Sequence, residues 1–108
     1  MGHTLGEFEQ LILLALARLG DDAYGVTVQE EIARRAKRET SLGAVYKTLL
    51  RLEDKGLVES WAGAPSARRG GRRKRHYRIA PAGARELKRS LAALRGMTRG
   101  LSPHLELP

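Results

Sequence analysis

Residues 41–60, SLGAVYKTLLRLEDKGLVES, decide the fold, because they encode an amphipathic helix that leads directly into a strand. Ser41 is a favourable N-cap and Gly56 is typical of the residue just after a helix end. The pattern therefore predicts a helix from Ser41 to Lys55, about 22 Å long. Apolar residues at i, i+3, i+7 and i+10 predict one buried stripe along this helix. Its members are Leu42, Val45, Leu49 and Leu52.

A basic stripe follows a different face of the same helix. Its members, at i, i+4 and i+8, are Lys47, Arg51 and Lys55. An apolar stripe combined with a basic one is typical of a helix that is anchored in a core and faces phosphates. The stripe alone leaves open a second interpretation, a charged face in contact with water.

A first helix is predicted near the N-terminus. Thr4 and Glu7 form a capping-box pattern, and apolar residues at three- and four-residue spacing continue from Phe8 to Leu19. Gly20 is expected to end the helix. Because this helix is apolar on more than one face, the sequence predicts that it packs against a partner helix as well as its own core.

A second helix is predicted to start near Tyr24 or Gly25 and to run to about Lys37. Val28 and Ile32 belong to its apolar side. Charged residues, including Glu31, are expected on its solvent-facing side.

Two short strands are predicted after Gly56. Residues 57–61 carry β-type side chains, and residues 75–79 alternate, with Tyr77 and Ile79 on one face. Residues 62–74 would join them as the loop of a hairpin, which must pack on the helices because an isolated hairpin is only marginally stable. We expect Trp61 to pack within this hairpin and His76 to lie at the surface.

The predicted loop carries much of the excess positive charge. Residues 1–59 have a net charge of −2 and residues 60–108 a net charge of +10, which gives +8 for the chain. No carboxylate lies between Glu59 and Glu86. Such a cationic loop indicates a polyanion partner, most often nucleic acid, in preference to a merely solvated basic run. The predicted contact residues here are Arg68, Arg69, Arg72, Arg73 and Lys74.

A fourth helix is predicted from Pro81, a residue suited to a first helical turn, to Leu101. Its leucines follow a coiled-coil-like spacing. A domain of this size has too little remaining surface to cover that seam, so we predict a homodimer. The predicted interface residues are Phe8, Leu11, Leu87, Leu91, Leu94, Met97 and Leu101.

Composition narrows the classes of function. The 108 residues include no cysteine, which excludes disulfides and thiolate metal sites and suits a cytoplasmic protein. The longest apolar stretch is interrupted by Arg18, so no membrane span is expected. No phosphate-binding loop, zinc-protease motif or nucleophile elbow is present, so we predict a protein that is not an enzyme and needs no cofactor or metal.

Three helices followed by a two-stranded ribbon is the element order of a winged helix-turn-helix. We therefore predict a mainly α fold with a small β-hairpin: a winged-helix domain over residues 4–80, a dimerisation helix over 81–101 and an irregular tail over 102–108. A major groove about 12 Å wide admits one helix, here that of residues 41–55. The arginine-rich wing would then reach the DNA backbone or the minor groove.

Three segments carry a resemblance to a known family: LGEFEQLILLALARLGDDAYGV, SLGAVYKTLLRLEDKGLVES and GGRRKRHYRIAPAG. Together they resemble the PadR family of bacterial regulators, over about residues 5–101. The resemblance implies a homodimeric transcriptional regulator of double-stranded DNA, usually a repressor, with the wing at residues 68–74. It also implies that the start of the recognition helix is exposed, namely Ser41, Leu42, Gly43, Tyr46 and Lys47. With Arg51 of the basic stripe, these are the DNA-contacting residues predicted for this helix.

Two further expectations accompany this interpretation. Members of the family respond to small molecules at the dimer interface, so an effector of unknown identity is a further predicted partner. The alternative function is an RNA- or ribosome-associated basic module with the same fold. The sequence argues against this alternative, because it lacks an aromatic platform on which bases could stack.

Overall fold

The computed structural model describes residues 5–65 and 73–105, apart from the side chains of residues 64, 65 and 73. The elements in chain order are α1 (Glu7–Leu19), α2 (Gly25–Ala36), α3 (Leu42–Asp54), β1 (Val58–Pro65), β2 (Arg73–Ile79) and α4 (Pro81–Thr98). A short 3₁₀ turn, Gly20–Asp22, joins α1 to α2. This order confirms the predicted mainly helical winged-helix fold, and none of the described helices is long and apolar enough to cross a membrane.

Helix α1 starts later than its sequence pattern suggests. Thr4 lies outside the described residues, and the helix begins at Glu7 with Gly6 as its N-cap. The Gly6 N–H donates to Oε1 of Glu9 at 2.9 Å, so Glu9, and not Glu7, is the acidic residue that caps the first turn. The predicted end is confirmed, because Gly20 has a φ of 59° and its N–H donates to the Leu16 carbonyl.

The two predicted ends of α3 are confirmed in atomic detail. The Ser41 hydroxyl oxygen accepts from the Ala44 N–H at 3.0 Å. At the other end, Gly56 has a φ of 76° and its N–H donates to the Glu53 carbonyl, while the Leu57 N–H reaches the Leu52 carbonyl, each at 2.9 Å. This paired arrangement is a Schellman motif, and it turns the chain sharply into β1.

The hairpin is longer than predicted. Its antiparallel register pairs Val58 with Ile79 and Trp61 with His76, with an irregularity between Ala62 and Pro65. Arg73 and Lys74 therefore belong to β2, whereas the sequence pattern placed them in a loop of residues 62–74. Arg68, Arg69 and Arg72 lie outside the described residues, so the predictions made for them remain untested.

The base of the hairpin is attached to the corner between α1 and α2. The Tyr77 N–H donates to the Ala23 carbonyl at 3.0 Å, and Tyr24 forms a single antiparallel bridge with His76. These bonds fix where the wing leaves the body of the protein.

The described residues form one apolar core where α1, α2, α3 and the hairpin meet. The largest side chains with essentially no exposed surface are Ile12, Leu13, Val28, Val45, Leu49 and Leu52. Helix α1 supplies two of them and lies against every other helix as well as β2. The buried stripe predicted for α3 is therefore confirmed at Val45, Leu49 and Leu52, whereas Leu42 is only half-buried.

Helix α4 packs on this core through its first half only. Gly83 and Leu87 are buried and Leu91 is half-buried, whereas Leu94 is 47% exposed. Leu87 is therefore largely covered within the protomer, and its place in a dimer interface stays a prediction. The helix also ends at Thr98, three residues before the predicted Leu101.

Replacing Gly83 or Gly96 of α4 by alanine should change the free energy of unfolding in opposite directions. A methyl group at this position would overlap the backbone carbonyl oxygen of Leu57, so we expect Gly83→Ala to destabilise the fold by about 1–3 kcal/mol. Gly96, on the same helix, has no atom within 4 Å of the added carbon, so Gly96→Ala should stabilise by about 0.5–1 kcal/mol. Chemical denaturation at one fixed protein concentration checks both, and equal effects would contradict the close packing of Gly83.

Candidate nucleic-acid interface

The outer face of α3 is the surface that a recognition helix would present to DNA. Gly43, Lys47, Leu50 and Asp54 are exposed along it, and Ser41 is exposed at its start. The expectation of an exposed helix start is correct for Ser41, Gly43 and Lys47. It needs correction for the two residues that are half-buried, Leu42 and Tyr46.

Tyr46 is turned towards α2 and away from the outer face. The far end of its ring lies so close to Gly25 that a methyl group at Gly25 would overlap the ring. Tyr46 also packs against the apolar core. Its ring thus holds α3 against the start of α2, which explains why a residue that the family resemblance placed at the surface is half-buried.

The basic stripe of α3 is partly neutralised inside the protein. Glu9 on α1, only 7% exposed, accepts from Arg51 Nε at 3.3 Å and from Lys55 Nζ at 3.1 Å. Burial raises the pKa of Glu9, but the Gly6 N–H, Lys55 and Arg51 outweigh burial and hold the pKa below its usual range. Of the predicted basic stripe, Lys47 alone has no hydrogen bond or ion pair among the described residues.

The described cations of β2 have different partners. Lys74 Nζ donates to the Tyr24 hydroxyl at 3.2 Å and lies 4.3 Å from the centre of its ring. Arg75 donates to the Ser60 hydroxyl oxygen at 2.9 and 3.1 Å. Because a phenol and a hydroxyl orient these cations without cancelling their charge, Lys74 and Arg75 remain positive and exposed.

A hydrogen-bond chain connects α3 to the wing. The Ser60 hydroxyl that accepts from Arg75 itself donates to Oε2 of Glu53 at 2.5 Å. Since Glu53 lies on α3 and Arg75 on β2, these hydrogen bonds hold α3 and the hairpin in one geometry. No sequence signal indicated Ser60, because its role depends on strand register.

Trp61 packs within the hairpin. Its ring stacks on His76 at 5.5 Å between centroids, and the Arg78 guanidinium lies 5.3 Å from the ring centre. His76 is half-buried, which corrects its expected surface position, because it lies between Trp61 and the edge of Tyr24. The Nδ1 atom of His76 is buried without a hydrogen-bond partner among the described residues.

The predicted dimer surface is partly bare in this protomer. The apolar stripe that starts at Leu87 continues beyond the core to Leu94, which is 47% exposed, with Met97 beside it at 78%. Leu101, which follows the end of the helix at Thr98, is also 47% exposed. Phe8, Leu11 and Leu91 are half-buried against the core. A groove of about 630 Å³ between α1 and α2 extends the apolar surface from Leu11.

Glu31 borders this groove. The sequence predicted it on the solvent-facing side of α2, but its side chain is buried. It is 7% exposed and accepts from Arg34 and Arg35, each at 2.6 Å, and from Arg18 of α1 at 3.2 Å. Burial opposes its ionisation, but Arg34 and Arg35 outweigh that effect and lower the pKa of Glu31. Glu31 therefore joins α1 to α2 by ion pairs. Within the described ranges, no cluster of His, Asp or Glu could hold a metal ion.

The fold and this surface define a winged helix-turn-helix protein. Residues 12–89 match the model of the family described as "Transcriptional regulator PadR-like family". The chain belongs to the PadR-like family of transcriptional regulators, which are not enzymes. A comparison with curated proteins found no significant match.

Several solved structures share the fold. A PadR family transcription regulator from Clostridium difficile is 24% identical, with a TM-score of 0.71 over 85% of this chain and 91% of that chain. A PadR-like transcription factor from Bacteroides fragilis is 21% identical, with a TM-score of 0.70 over 83% and 82%. RosR from H. salinarum is 23% identical, with a TM-score of 0.67 over 91% and 81%.

The Glu9 contacts predict a pH-dependent contribution to stability. Because the pKa of Glu9 is lowered on folding from its ordinary value of 4.5, its ionised form stabilises the fold at neutral pH. That contribution is lost as the pH falls through the lowered pKa. We expect Glu9→Gln to lower the free energy of unfolding by about 1–2 kcal/mol at pH 7.

The difference between Glu9→Gln and the unmodified protein should shrink as the pH falls below 4.5. Urea denaturation of both proteins at each pH checks this. Glu31 also has a lowered pKa, but both proteins retain it, so its pH-dependent contribution cancels in the difference between their free energies of unfolding. A constant difference from pH 7 to pH 3 would contradict the role given to the Glu9 carboxylate.

Proposed function

We propose that this chain is a homodimeric regulator that binds a specific site in double-stranded DNA and represses transcription there. Helix α3 of each protomer would enter the major groove, and the wing would contact the backbone or an adjacent minor groove. Two half-sites about one helical turn apart would suit the dimer. Repression follows where this site overlaps a promoter.

The observation that carries the proposal is the distribution of cations without a carboxylate partner. Lys47 on the outer face of α3 has no partner among the described residues, and Lys74 and Arg75 on β2 have neutral ones. Arg51 and Lys55 are bound to Glu9. The first three are therefore better placed to release counterions from DNA than Arg51, whose DNA contact stays a prediction.

The geometry of the wing also favours DNA over the RNA-associated alternative. Trp61 is engaged by His76 and Arg78 within the hairpin, so its ring is not an open platform for an unpaired base. The arginines predicted for the wing tip would add phosphate or minor-groove contacts. They are Arg68, Arg69, Arg72 and Arg73.

Exposed apolar residues in the second half of α4 support the proposed dimer. Leu94 continues a stripe whose first half is already buried in the protomer, and Met97 beside it and Leu101 after the helix end add exposed apolar surface. On α1, Phe8 and Leu11 are only half-buried, and Leu11 lines the groove between α1 and α2, so both keep apolar surface for a partner. The proposed organisation therefore keeps residues 4–80 as the DNA-binding domain and 81–101 as the dimerisation segment, whose helix ends at Thr98. The effector implied by the resemblance stays a prediction.

Salt dependence tests the assignment of the phosphate contacts. Binding is measured by fluorescence anisotropy on the upstream duplex of the protein's own gene and on a scrambled duplex, across a range of salt concentrations. We expect the native duplex to bind more tightly at every salt concentration. Lys74→Ala should make the slope of log K against log salt shallower by about 0.9 per lost phosphate contact.

Lys88→Ala is the matched control, because it removes the same charge from an exposed position on α4. Its slope should equal that of the unmodified protein. If Lys74→Ala and Lys88→Ala changed the slope of log K against log salt equally, a local phosphate contact by Lys74 would be contradicted. Equal binding to both duplexes, or tighter binding to structured RNA, would contradict site-specific DNA recognition.

Dimerisation is tested by placing a charge on the bare stripe. We expect Leu94→Glu to convert the dimer to a monomer in sedimentation velocity, because the new carboxylate would be buried in the interface. Ala92→Glu is the control, since residue 92 is exposed on the opposite face of α4. A Leu94→Glu protein that remains dimeric would contradict this interface.

A further inference from the structure

Leu50 stands out on the outer face of α3, because 54% of this large apolar residue is exposed. With Gly43, Lys47 and Asp54 it occupies positions i, i+4, i+7 and i+11, which share one face of a helix. Neither the predicted apolar stripe nor the predicted basic stripe includes it. It is an apolar side chain where a DNA-facing helix would be expected to carry polar ones.

The contacts of the neighbouring residues leave few side chains free to reach bases. Tyr46 packs against Gly25, and Arg51 is bound to Glu9. Gly43 has no side chain, and the carboxylate of Asp54 would be repelled by phosphates. Lys47 and Leu50 are therefore the two long side chains on this face that are not engaged within the described protomer.

The major groove offers one apolar group at its base edges, the C5-methyl of thymine. A leucine can bury that methyl, whereas against other bases it would cover polar atoms that it cannot satisfy. Lys47 has complementary chemistry, because its ammonium donates to the O6 and N7 acceptors of guanine. The Cα atoms of Lys47 and Leu50 are separated by about 4.5 Å along the helix axis, close to one base-pair step.

We propose that Leu50 is a specificity-determining residue that packs on the C5-methyl of a thymine, within a step or two of the base that Lys47 contacts. This inference rests on the proposed DNA-binding function and adds a prediction about the sequence of the site. Each half-site contains a thymine whose methyl group, and not its hydrogen-bonding edge, is recognised.

The test uses the full-length protein and a duplex selected by it from a random library. Each thymine of one half-site is replaced in turn by deoxyuridine, which removes the methyl group and leaves base pairing unchanged. We expect one replacement to weaken binding about fourfold, the equivalent of one buried carbon. Leu50→Ala should bind the thymine and deoxyuridine duplexes equally well at that position.

Two controls separate the methyl contact from other effects. Leu50→Met keeps an apolar side chain and should retain sensitivity to the replacement. Thymines outside the half-sites should be replaceable without effect. Because Leu50 is exposed and alanine favours helices, Leu50→Ala should have an unchanged thermal denaturation midpoint.

The outcomes distinguish this inference from the function on which it rests. If no duplex is bound in preference to random DNA, the proposed function itself is overturned. If a specific duplex is bound but no deoxyuridine replacement weakens it, or if Leu50→Ala keeps the same sensitivity, the assignment of Leu50 alone is overturned. A selected half-site without thymine would also overturn it.

Discussion

Burial of α1 is the constraint on which the other elements depend. Ile12, Leu13 and Leu16 are at most 2% exposed, and burial of each such side chain contributes about 1.5–3 kcal/mol. Because α1 is apolar on more than one face, α2, α3, the hairpin and the first half of α4 all pack around it. The outward face of α3 and the exit of the wing follow from this packing. A small domain with few aromatic residues thus obtains its core from one central helix.

The carboxylates decide which cations remain available. Glu9 binds Arg51 and Lys55, and Glu31 binds Arg18, Arg34 and Arg35, so five of the eight cations in residues 1–59 are paired by two buried acids. Lys47 has no such partner among the described residues, and Lys74 and Arg75 are oriented by neutral groups. Net charge alone therefore overstates the surface that could bind phosphate. It also fails to identify where the free charge lies.

The candidate site shows where sequence patterns are informative and where they fail. The ends of α3 could be predicted from Ser41 and Gly56, because capping depends on residues that are adjacent in the chain. The partner of Arg51 could not, because Glu9 lies 42 residues away and meets it only after α1 packs on α3. Tyr46 and His76 were misplaced for a related reason, since rings on an element surface are buried by neighbours that no local pattern specifies. Leu87 likewise follows the spacing of a dimer seam, yet the protomer's own core covers it.

The sequence by itself determined the order of the elements, the stripe that α3 buries, the concentration of positive charge after residue 60 and the family resemblance. Periodicity, caps and composition are local properties, so they can be read along the chain. The tertiary structure alone decided which α3 side chains remain exposed, which cations are neutralised and how much of the α4 stripe is left uncovered. Each of these depends on distances between residues far apart in sequence, and those distances are fixed only when the helices pack around α1.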